Sequence, residues 1–418
     1  MDIVWFSITD LRVRDHEPLY YSNLTNNDLI HIFIWDCKWD DKTSNEIQIM
    51  GKFKKKFLKE SLYNLNLNLE KIGIKLNIFY GEPKNIIKNL INDYEINNIY
   101  TYQNISELID FNIKYYWGNT IHNLNDLPFE INNLPNSFNE FKKKINITVR
   151  NELFTKSNGK SIKLKNSTNL NSIDIPFVET SIIGGEDEIW KNIIHDFYKK
   201  KLILNYENDN ILNNLLNYNP WLTFGCISFK SLFFQIKIFE KRILKNINTK
   251  IFLNDLLLND YIKFSFLKNS INLKNDGSKN KISFKKWIDG NTGIPIIDSI
   301  MNEIKFTGKT NYRCKLITAS FLINDLNLDW TLGFEYFNKI LIDLSIEKNY
   351  DIWNYIISNK IYLNPIKQIK KYDKDCQYIK KWIPSLQKNN IEELYDPDNG
   401  IHNYYTPIIH INYLNSNS

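Results

Sequence analysis

The stretch of sequence that decides the fold lies in the second half of the chain and is dense in aromatic and apolar residues. Residues 287–353 read WIDGNTGIPIIDSIMNEIKFTGKTNYRCKLITASFLINDLNLDWTLGFEYFNKILIDLSIEKNYDIW. Arg313, Lys315 and Asp343 are charged residues among positions that are otherwise typical of a protein core. Because a buried charge needs a partner, the pattern predicts an ion pair between Lys315 and Asp343. Such a pair could simply lock two helices together, and beside an aromatic cofactor it would also set the local electric field.

Two kinds of periodicity surround this stretch. Helical spacing of apolar residues dominates from residue 186 to about residue 384. Nearer the start, short β-branched runs at 3–7, 29–35, 75–80 and 99–102 alternate with helical stretches. Alternation at this pace predicts βαβ units and a parallel, doubly wound sheet.

A polar stretch interrupted by prolines separates these two patterns and predicts a connector. It extends over residues 126–179 and is closed by Gly184 and Gly185. The predicted organisation is therefore an α/β domain at 1–125, a connector at 126–185, a helical domain at 186–400 and a tail at 401–418.

Composition excludes several classes of protein. The 418 residues carry a net charge of +6, which favours polyanionic partners without establishing one. The four cysteines are isolated and have no ligand-like spacing to the histidines, so we expect no disulfide framework, no metal site and a reducing compartment. No apolar run approaches the roughly 18 residues of a membrane-spanning helix, and the first residues have the pattern expected of a strand rather than of a signal peptide. We expect a soluble, intracellular monomer that binds no membrane, in the cytoplasm, the nucleus or an organelle.

Several segments of the chain resemble one protein family. Residues 287–353 are similar, without gaps, to the flavin-domain signature of photolyases and cryptochromes, roughly WxxGxTGxPxxDAxMRELxxTGxMxNRxRxxxASFLxxDLxxDWRxGxxxFxxxLIDxDxxxNxxxW. Residues 126–143, 219–228 and 364–384 resemble segments of the DASH branch, and residues 4–15 resemble its N-terminal VWFRxDLRxxDN. The resemblance implies an α/β N-terminal domain followed by an all-α, FAD-binding C-terminal domain.

The resemblance also implies an activity. Photolyases use a reduced flavin that absorbs blue light to pass an electron to a pyrimidine dimer flipped out of DNA, while the protein positions and tunes the cofactor. For this chain it implies one of two proteins. The first is an FAD-dependent DNA photolyase, which is a carbon–carbon lyase by enzyme class, and the second is a DNA-binding cryptochrome of DASH type. Single-stranded DNA carrying pyrimidine dimers is one implied partner. A folate antenna such as methenyltetrahydrofolate is an implied second chromophore.

The residues that the resemblance assigns to FAD fall in two groups along the chain. Those within or close to the signature are Lys315, Asp343, Leu344, Ser345 and Asn349, and those upstream are Tyr206, Tyr218 and Asn219. Lys315 stands where the family has arginine, so the charge is kept and the bidentate fork is lost. Ser345 stands where the family has a second aspartate.

Three residues are assigned to catalysis. Asn349 matches the asparagine beside flavin N5, and Trp353 and Trp330 match the two inner tryptophans of the family's electron relay. The outer relay position is Gly277. Without the signature, Trp330 and Trp353 would equally be interpreted as core aromatics.

On the DNA side the resemblance assigns Asp255, Asn259, Tyr312, Arg313 and Tyr355. Asn259 replaces an arginine, and Leu258 replaces the tryptophan that stacks on the dimer. Both upstream hydroxyls of the diphosphate-binding TSxLS motif are absent from residues 215–219, where Asn219 is the polar residue that remains. Because a stacking platform is worth about 1–3 kcal/mol per base, the sequence predicts weakened binding of the dimer. Two alternatives stay open: a photolyase-like protein that has lost repair and acts as a binding, signalling or structural module, and an unrelated nucleotide-binding α/β protein.

Overall fold

A computed structural model of the chain divides into two compact units. The structure describes residues 1–42, 47–103, 111–145, 149–156, 159–206, 216–268 and 277–410. The first unit comprises Met1–Tyr206 and Tyr218–Lys268, and the second comprises Glu207–Asn217 and Asn269–Ser418. This division follows contacts within the chain and differs from the predicted domain boundaries, which stay predictions.

The first unit is built on a five-stranded sheet whose strands are all parallel. The strands are β1 (Asp2–Phe6), β2 (Leu29–Trp35), β3 (Leu76–Tyr80), β4 (Asn98–Tyr102) and β5 (Ile113–Tyr116). Their order is β3-β2-β1-β4-β5, with Val4 paired to His31 and to Tyr100. All residues of β1 and β2 are buried, as expected of a sheet that helices cover on both faces. The predicted α/β fold is confirmed.

The α-helices in the described part of the first unit are α1 (Glu17–Asn23), α2 (Lys52–Lys71), α3 (Pro83–Asp93), α4 (Phe138–Lys144), α5 (Glu186–Ile193), α6 (Asn219–Thr223), α7 (Phe229–Arg242) and α8 (Ile247–Lys268). Helices α1, α2 and α3 connect successive strands and contact the sheet. In α2, Phe57, Leu58, Leu62, Leu65 and Leu69 recur at helical spacing and are at most 2% exposed. That stripe is the face of an amphipathic helix that packs on a core.

The regular elements among residues 277–410 of the second unit are helices. They are α9 (Lys281–Asp289), α10 (Pro295–Thr307), α11 (Tyr312–Ser320), α12 (Trp330–Ile340), α13 (Ile346–Ser358), α14 (Pro365–Tyr372), α15 (Gln377–Trp382) and α16 (Ile391–Tyr395). Helix α10 is central, because Ile297, Ile300, Met301 and Ile304 are all completely buried. The all-α prediction for the C-terminal part is confirmed. Within the described ranges of the whole chain, no helix is both long enough and apolar enough to cross a membrane.

Candidate functional site

A buried ion pair joins α11 to the segment between α12 and α13. The ammonium Nζ of Lys315 lies 2.9 Å from Oδ2 of Asp343, and the two side chains are only 4% and 1% exposed. This is the ion pair that the sequence predicts. Removing both charges from water is costly, and their mutual attraction offsets that cost only while both partners are present. The pair therefore fixes a charged centre inside the helical unit.

The second carboxylate oxygen of Asp343 is available to a ligand. Oδ1 is buried and has no hydrogen-bond partner among the described residues. An unpaired buried acceptor costs about 1–3 kcal/mol, and more when it is charged, so a donor from a bound molecule would be stabilising there. A flavin ring carries such an N–H donor, and the completely buried Leu341 and largely buried Leu344 add apolar surroundings. The residues present therefore fit a flavin.

Ser345 keeps a structural role that an aspartate can also fill. Its side chain caps α13 by accepting a hydrogen bond from the backbone N–H of Lys348 at 3.4 Å. Serine and aspartate are both strongly preferred at this position of a helix. The difference from the family signature at residue 345 therefore leaves the start of α13 intact, and with it the position of Asn349 one turn later.

Asn349 holds the indole of Trp353 in place. The amide of Asn349 is completely buried; its Nδ2 donates to the carbonyl of Phe334 at 2.8 Å, and its Oδ1 accepts from Nε1 of Trp353 at 3.0 Å. An asparagine side chain can make about four hydrogen bonds, so one N–H and one lone pair are left for a ligand. Trp353 itself packs against Phe337, with the ring centroids 5.5 Å apart.

The space under Trp353 exists because residue 333 is glycine. A Cβ built on Gly333 would lie 2.2 Å from the Trp353 ring, which is a collision. Sequence reasoning did not single out Gly333, although the family signature has a glycine there. That glycine, four residues before Phe337, is the signal that could have identified it.

Trp330 begins α12 and contacts other aromatic rings. It is 6% exposed, and its ring centroid lies 5.6 Å from that of Phe334 and 6.4 Å from that of Tyr350. The third relay position cannot hold a side chain, because a Cβ on Gly277 would lie 2.3 Å from the backbone of Leu328 and Asp329. An electron that reaches Trp330 therefore has no tryptophan at residue 277 to move to.

Two predicted DNA-binding tyrosines are exposed on the second unit. Tyr312 at the start of α11 is 51% exposed and Tyr355 on α13 is 42% exposed. Desolvation, then Asp351 and Tyr355, raise the pKa of the Tyr312 phenol, so these side chains are electrostatic neighbours. Both rings are exposed to a degree that would let them stack on bases.

Arg313 is held by residues from α14. Its Nε and Nη2 donate to Oε1 of Gln368 at 3.3 and 3.2 Å, and its guanidinium lies 5.2 Å from the ring centroid of Tyr372. Sequence reasoning missed Gln368, which is 55 residues away in the chain. The predicted DNA-binding role of Arg313 stays a prediction, and its side chain is oriented in advance.

The remaining predicted residues lie in the first unit. Tyr206 donates a hydrogen bond to Asp255 at 2.8 Å, so a predicted cofactor residue and a predicted DNA residue are brought together there. Tyr218 is 5% exposed and donates to Asp196 at 2.9 Å. Asn219 is the first residue of α6. Residue 215 of the altered diphosphate motif lies outside the described residues.

Asn259 is placed differently from a DNA-facing side chain. It is 7% exposed, and its Nδ2 donates to the backbone carbonyl of Asn119 at 3.4 Å. The substitution of the family arginine therefore removes a cation and gives an amide that bonds within the first unit. Leu258 beside it is partly buried.

Comparisons with known proteins agree with this architecture. The FAD-binding domain of DNA photolyase matches residues 250–414, and the DNA photolyase domain matches residues 2–156. The chain is 27% identical to cryptochrome DASH of Synechocystis sp. over 94% of its length and 90% of the relative. It is also 27% identical to the chloroplastic/mitochondrial cryptochrome DASH of Arabidopsis thaliana, over 92% of its length and 76% of the relative.

Solved structures show the same fold. The Synechocystis cryptochrome superposes with a TM-score of 0.89 at 25% identity, covering 98% of this chain and 96% of that one. An archaeal photolyase from Sulfolobus tokodaii shares the fold, with a TM-score of 0.76 at 22% identity over 98% of this chain and 97% of that one.

The parallel α/β unit matches the DNA photolyase domain and the helical part matches its FAD-binding domain, so the class of protein is a flavoprotein of the photolyase type. The chain belongs to the photolyase/cryptochrome superfamily as a divergent member similar to the DASH cryptochromes. Its C-terminal part is an FAD-binding domain of the photolyase type.

Proposed function

We propose that this chain is an FAD-dependent, blue-light-driven photolyase of DASH type that acts on pyrimidine dimers in single-stranded DNA. The observation that carries the proposal is the buried Lys315–Asp343 pair with a free Asp343 oxygen. FAD, when bound, supplies the light absorption and the one-electron chemistry. The task of the protein is to hold and orient the FAD and to shield it from water.

The side chains of the second unit can perform those tasks. Lys315 pairs with Oδ2 of Asp343, so that Oδ1 of the same side chain is left to accept an N–H from a ligand. Asn349 fixes the Trp353 ring through a 3.0 Å hydrogen bond. Trp353 and Trp330 are buried indoles through which an electron can pass, and their burial excludes water from that route.

The substrate side favours a single strand over a duplex. Base stacking on an exposed aromatic ring is worth about 1–3 kcal/mol and tolerates any base sequence, and Tyr312 and Tyr355 are exposed rings of this kind. Extruding a base from a duplex costs a few kcal/mol. With leucine at residue 258 there is less stacking energy to offset that cost, so a strand that is already unpaired is the better substrate.

A protein that binds DNA without repairing it is the second candidate. The inward hydrogen bond of Asn259 to Asn119 favours it, because the family arginine at that position would offer a cation to the lesion. In this case the flavin would report light or redox state and the tyrosines would still bind the strand. A folate antenna, implied by the resemblance, is part of the proposal in either case.

The decisive experiment uses the full chain purified in the dark. We expect a flavin absorption spectrum, a pterin band in addition if the antenna is present, and loss of dimers when a single-stranded oligonucleotide with one thymine dimer is illuminated with blue light. The same mixture in the dark is the control. Bound flavin without dimer loss would support the binding candidate. A colourless protein that stays colourless with excess FAD would refute both.

A further inference from the structure

The turn between α7 and α8 of the first unit exposes apolar and cationic side chains together. Ile243, Leu244 and Ile247 are 44%, 50% and 66% exposed. The exposed cations among them and just before them are Lys241, Arg242 and Lys245. Residues 241–250 contain no aspartate or glutamate. A single exposed aliphatic side chain is ordinary, but three within the five residues 243–247 form a patch of the kind that marks an interaction surface.

Three more cations lie beside this turn. Residues 199–201 are consecutive lysines, and all three are exposed. The segment that carries them packs on α7 and α8, because the ring centroid of Tyr198 lies 5.8 Å from that of Phe239. Nδ2 of Asn246 also donates to the backbone carbonyl of Leu204 at 3.0 Å. We call residues 199–201 and 241–247 together the α7–α8 surface.

The carboxylates nearest to the α7–α8 surface are used inside the fold. Glu240 has only 7% of its side chain exposed and pairs with Lys237 at 3.1 Å, while its Oε1 accepts from the hydroxyl of Thr249 at 2.9 Å. Asp196 accepts from the phenol of Tyr218 at 2.9 Å. Across the described ranges, no carboxylate oxygen lies within 4 Å of a cation of the α7–α8 surface, whereas Lys237 does form such an ion pair. The positive charge there is therefore left for a ligand.

The chemistry of this surface fits a bilayer of anionic lipid. Exposed aliphatic side chains can enter the boundary between headgroups and acyl chains, while ammonium and guanidinium groups beside them attract anionic headgroups. A nucleic acid would be attracted by the same cations, but its bases stack on aromatic rings. The exposed side chains of the α7–α8 surface are cationic or aliphatic, and the aliphatic ones favour lipid.

We propose that the α7–α8 surface docks this protein on an anionic lipid bilayer, with Ile243, Leu244 and Ile247 at the headgroup boundary and the neighbouring cations among the headgroups. The sequence predicts a protein that binds no membrane, because no apolar run is long enough to span one. Docking on a bilayer surface does not need such a run. The surface belongs to the first unit and uses none of the residues assigned to the flavin or to DNA.

The first test measures flotation of the full chain in the dark with vesicles of phosphatidylcholine, with and without phosphatidylserine. The cation variant carries Lys241→Gln, Arg242→Gln and Lys245→Gln. The matched control carries substitutions at three exposed lysines elsewhere in the first unit, Lys75→Gln, Lys84→Gln and Lys88→Gln. Both variants lower the net charge by the same three units, so long-range attraction changes equally.

A basic residue near an anionic lipid surface contributes a factor of about five to the affinity. We therefore expect the cation variant to bind the phosphatidylserine vesicles about a hundredfold more weakly, with the control close to the parent. The difference should shrink at high salt, because the attraction is screened. Equal losses in both triple variants would overturn the proposal, as would no loss in either.

The second test addresses the aliphatic side chains. Ile247→Ser is compared with Leu24→Ser, because both residues are 66% exposed in the parent. We expect Ile247→Ser to weaken vesicle binding about tenfold, at low and at high salt alike, and Leu24→Ser to leave it unchanged. Unaltered vesicle binding by Ile247→Ser would show that no apolar side chain enters the bilayer, and the proposal would be wrong.

Other anionic partners are separated by two soluble probes, undamaged oligo-dT and polyglutamate. If the cation variant lost affinity for either probe by the same factor as for vesicles, the surface would bind polyanions in general and the proposal would be refuted. Failure here is also separable from failure of the proposed function. The flavin spectrum and light-dependent dimer loss report the flavin site, whereas vesicle flotation reports the α7–α8 surface.

Discussion

Replacing Lys315 with methionine separates the two roles that the buried ion pair could have. Methionine is similar in length and carries no charge, so Asp343, with 1% of its side chain exposed, would become a buried charge without a partner. Removing one partner of such a pair costs about 3–5 kcal/mol. The double variant Lys315→Met/Asp343→Leu removes both charges, and apolar replacements of whole buried pairs are often neutral or stabilising. We therefore expect the double variant to regain most of the stability that the single variant loses.

Binding of FAD gives the second measurement. A ligand at a hundred times its Kd stabilises the folded protein by about 2.7 kcal/mol. If Asp343 accepts a hydrogen bond from the cofactor, the double variant regains the stability of the cofactor-free protein and still fails to gain this increment. The assay is urea unfolding in the dark, with and without FAD, followed by the fluorescence of tryptophans that include Trp330 and Trp353. The control is Lys315→Arg, which keeps the charge and restores the fork of the family.

Two results would contradict this reasoning. A double variant that regains both its stability and its stabilisation by FAD would show that the pair only locks α11 to the segment before α13. If Lys315→Met lowered the unfolding free energy by less than about 1 kcal/mol, Asp343 would have to reach water or another cation. An unpaired carboxylate that stays buried destabilises the protein by more than that.

Three further predictions follow from individual side chains. Gly333→Ala places a Cβ 2.2 Å from the Trp353 ring, so we expect a loss of about 1–3 kcal/mol in unfolding free energy and altered tryptophan fluorescence; unchanged values for both would contradict the packing. Burial raises the pKa of Asp325 to about 7, well above its value of about 3.9 in an unfolded chain. Its ionisation therefore lowers stability as the pH rises from about 4 to 7, and Asp325→Asn should raise the urea midpoint at pH 8 and not at pH 4.5; an equal gain at both would rule out the titration. Tyr312→Ala should weaken binding of a single-stranded oligonucleotide by about 5- to 150-fold while the flavin spectrum stays unchanged, whereas an unaltered Kd would remove Tyr312 from the interface.

The sequence predicts those features that depend on local pattern or on burial of charge. The parallel sheet follows from short β-branched runs such as β2, which is buried throughout. The Lys315–Asp343 pair follows from the cost of isolating either charge in an apolar segment, and the structure confirms it at 2.9 Å. Neither inference depends on how distant parts of the chain contact one another.

Other features depend on contacts that one segment cannot reveal. The sequence shows that residue 277 is glycine, but only the structure shows that the backbone of residues 328–329 occupies the place of its side chain. The sequence indicates Arg313 as a candidate DNA-binding residue, but only the tertiary packing brings Gln368 within 3.3 Å of Arg313. Similarly, the direction of the Asn259 amide depends on Asn119, which is 140 residues away.

The differences from the family signature fall into two physical kinds. At residues 315 and 345 the residue in this chain can fill the same structural role as the family residue. Lys315 keeps a cation beside Asp343, and Ser345 keeps the N-terminal cap of α13. At residues 258 and 259 it does not, because leucine cannot replace an indole platform and a buried asparagine cannot replace an exposed cation. The charge and the helix cap are preserved around the predicted flavin-binding residues, and side chains that the resemblance assigns to the lesion are lost. This combination is what a chain would show if it kept its cofactor and altered its substrate.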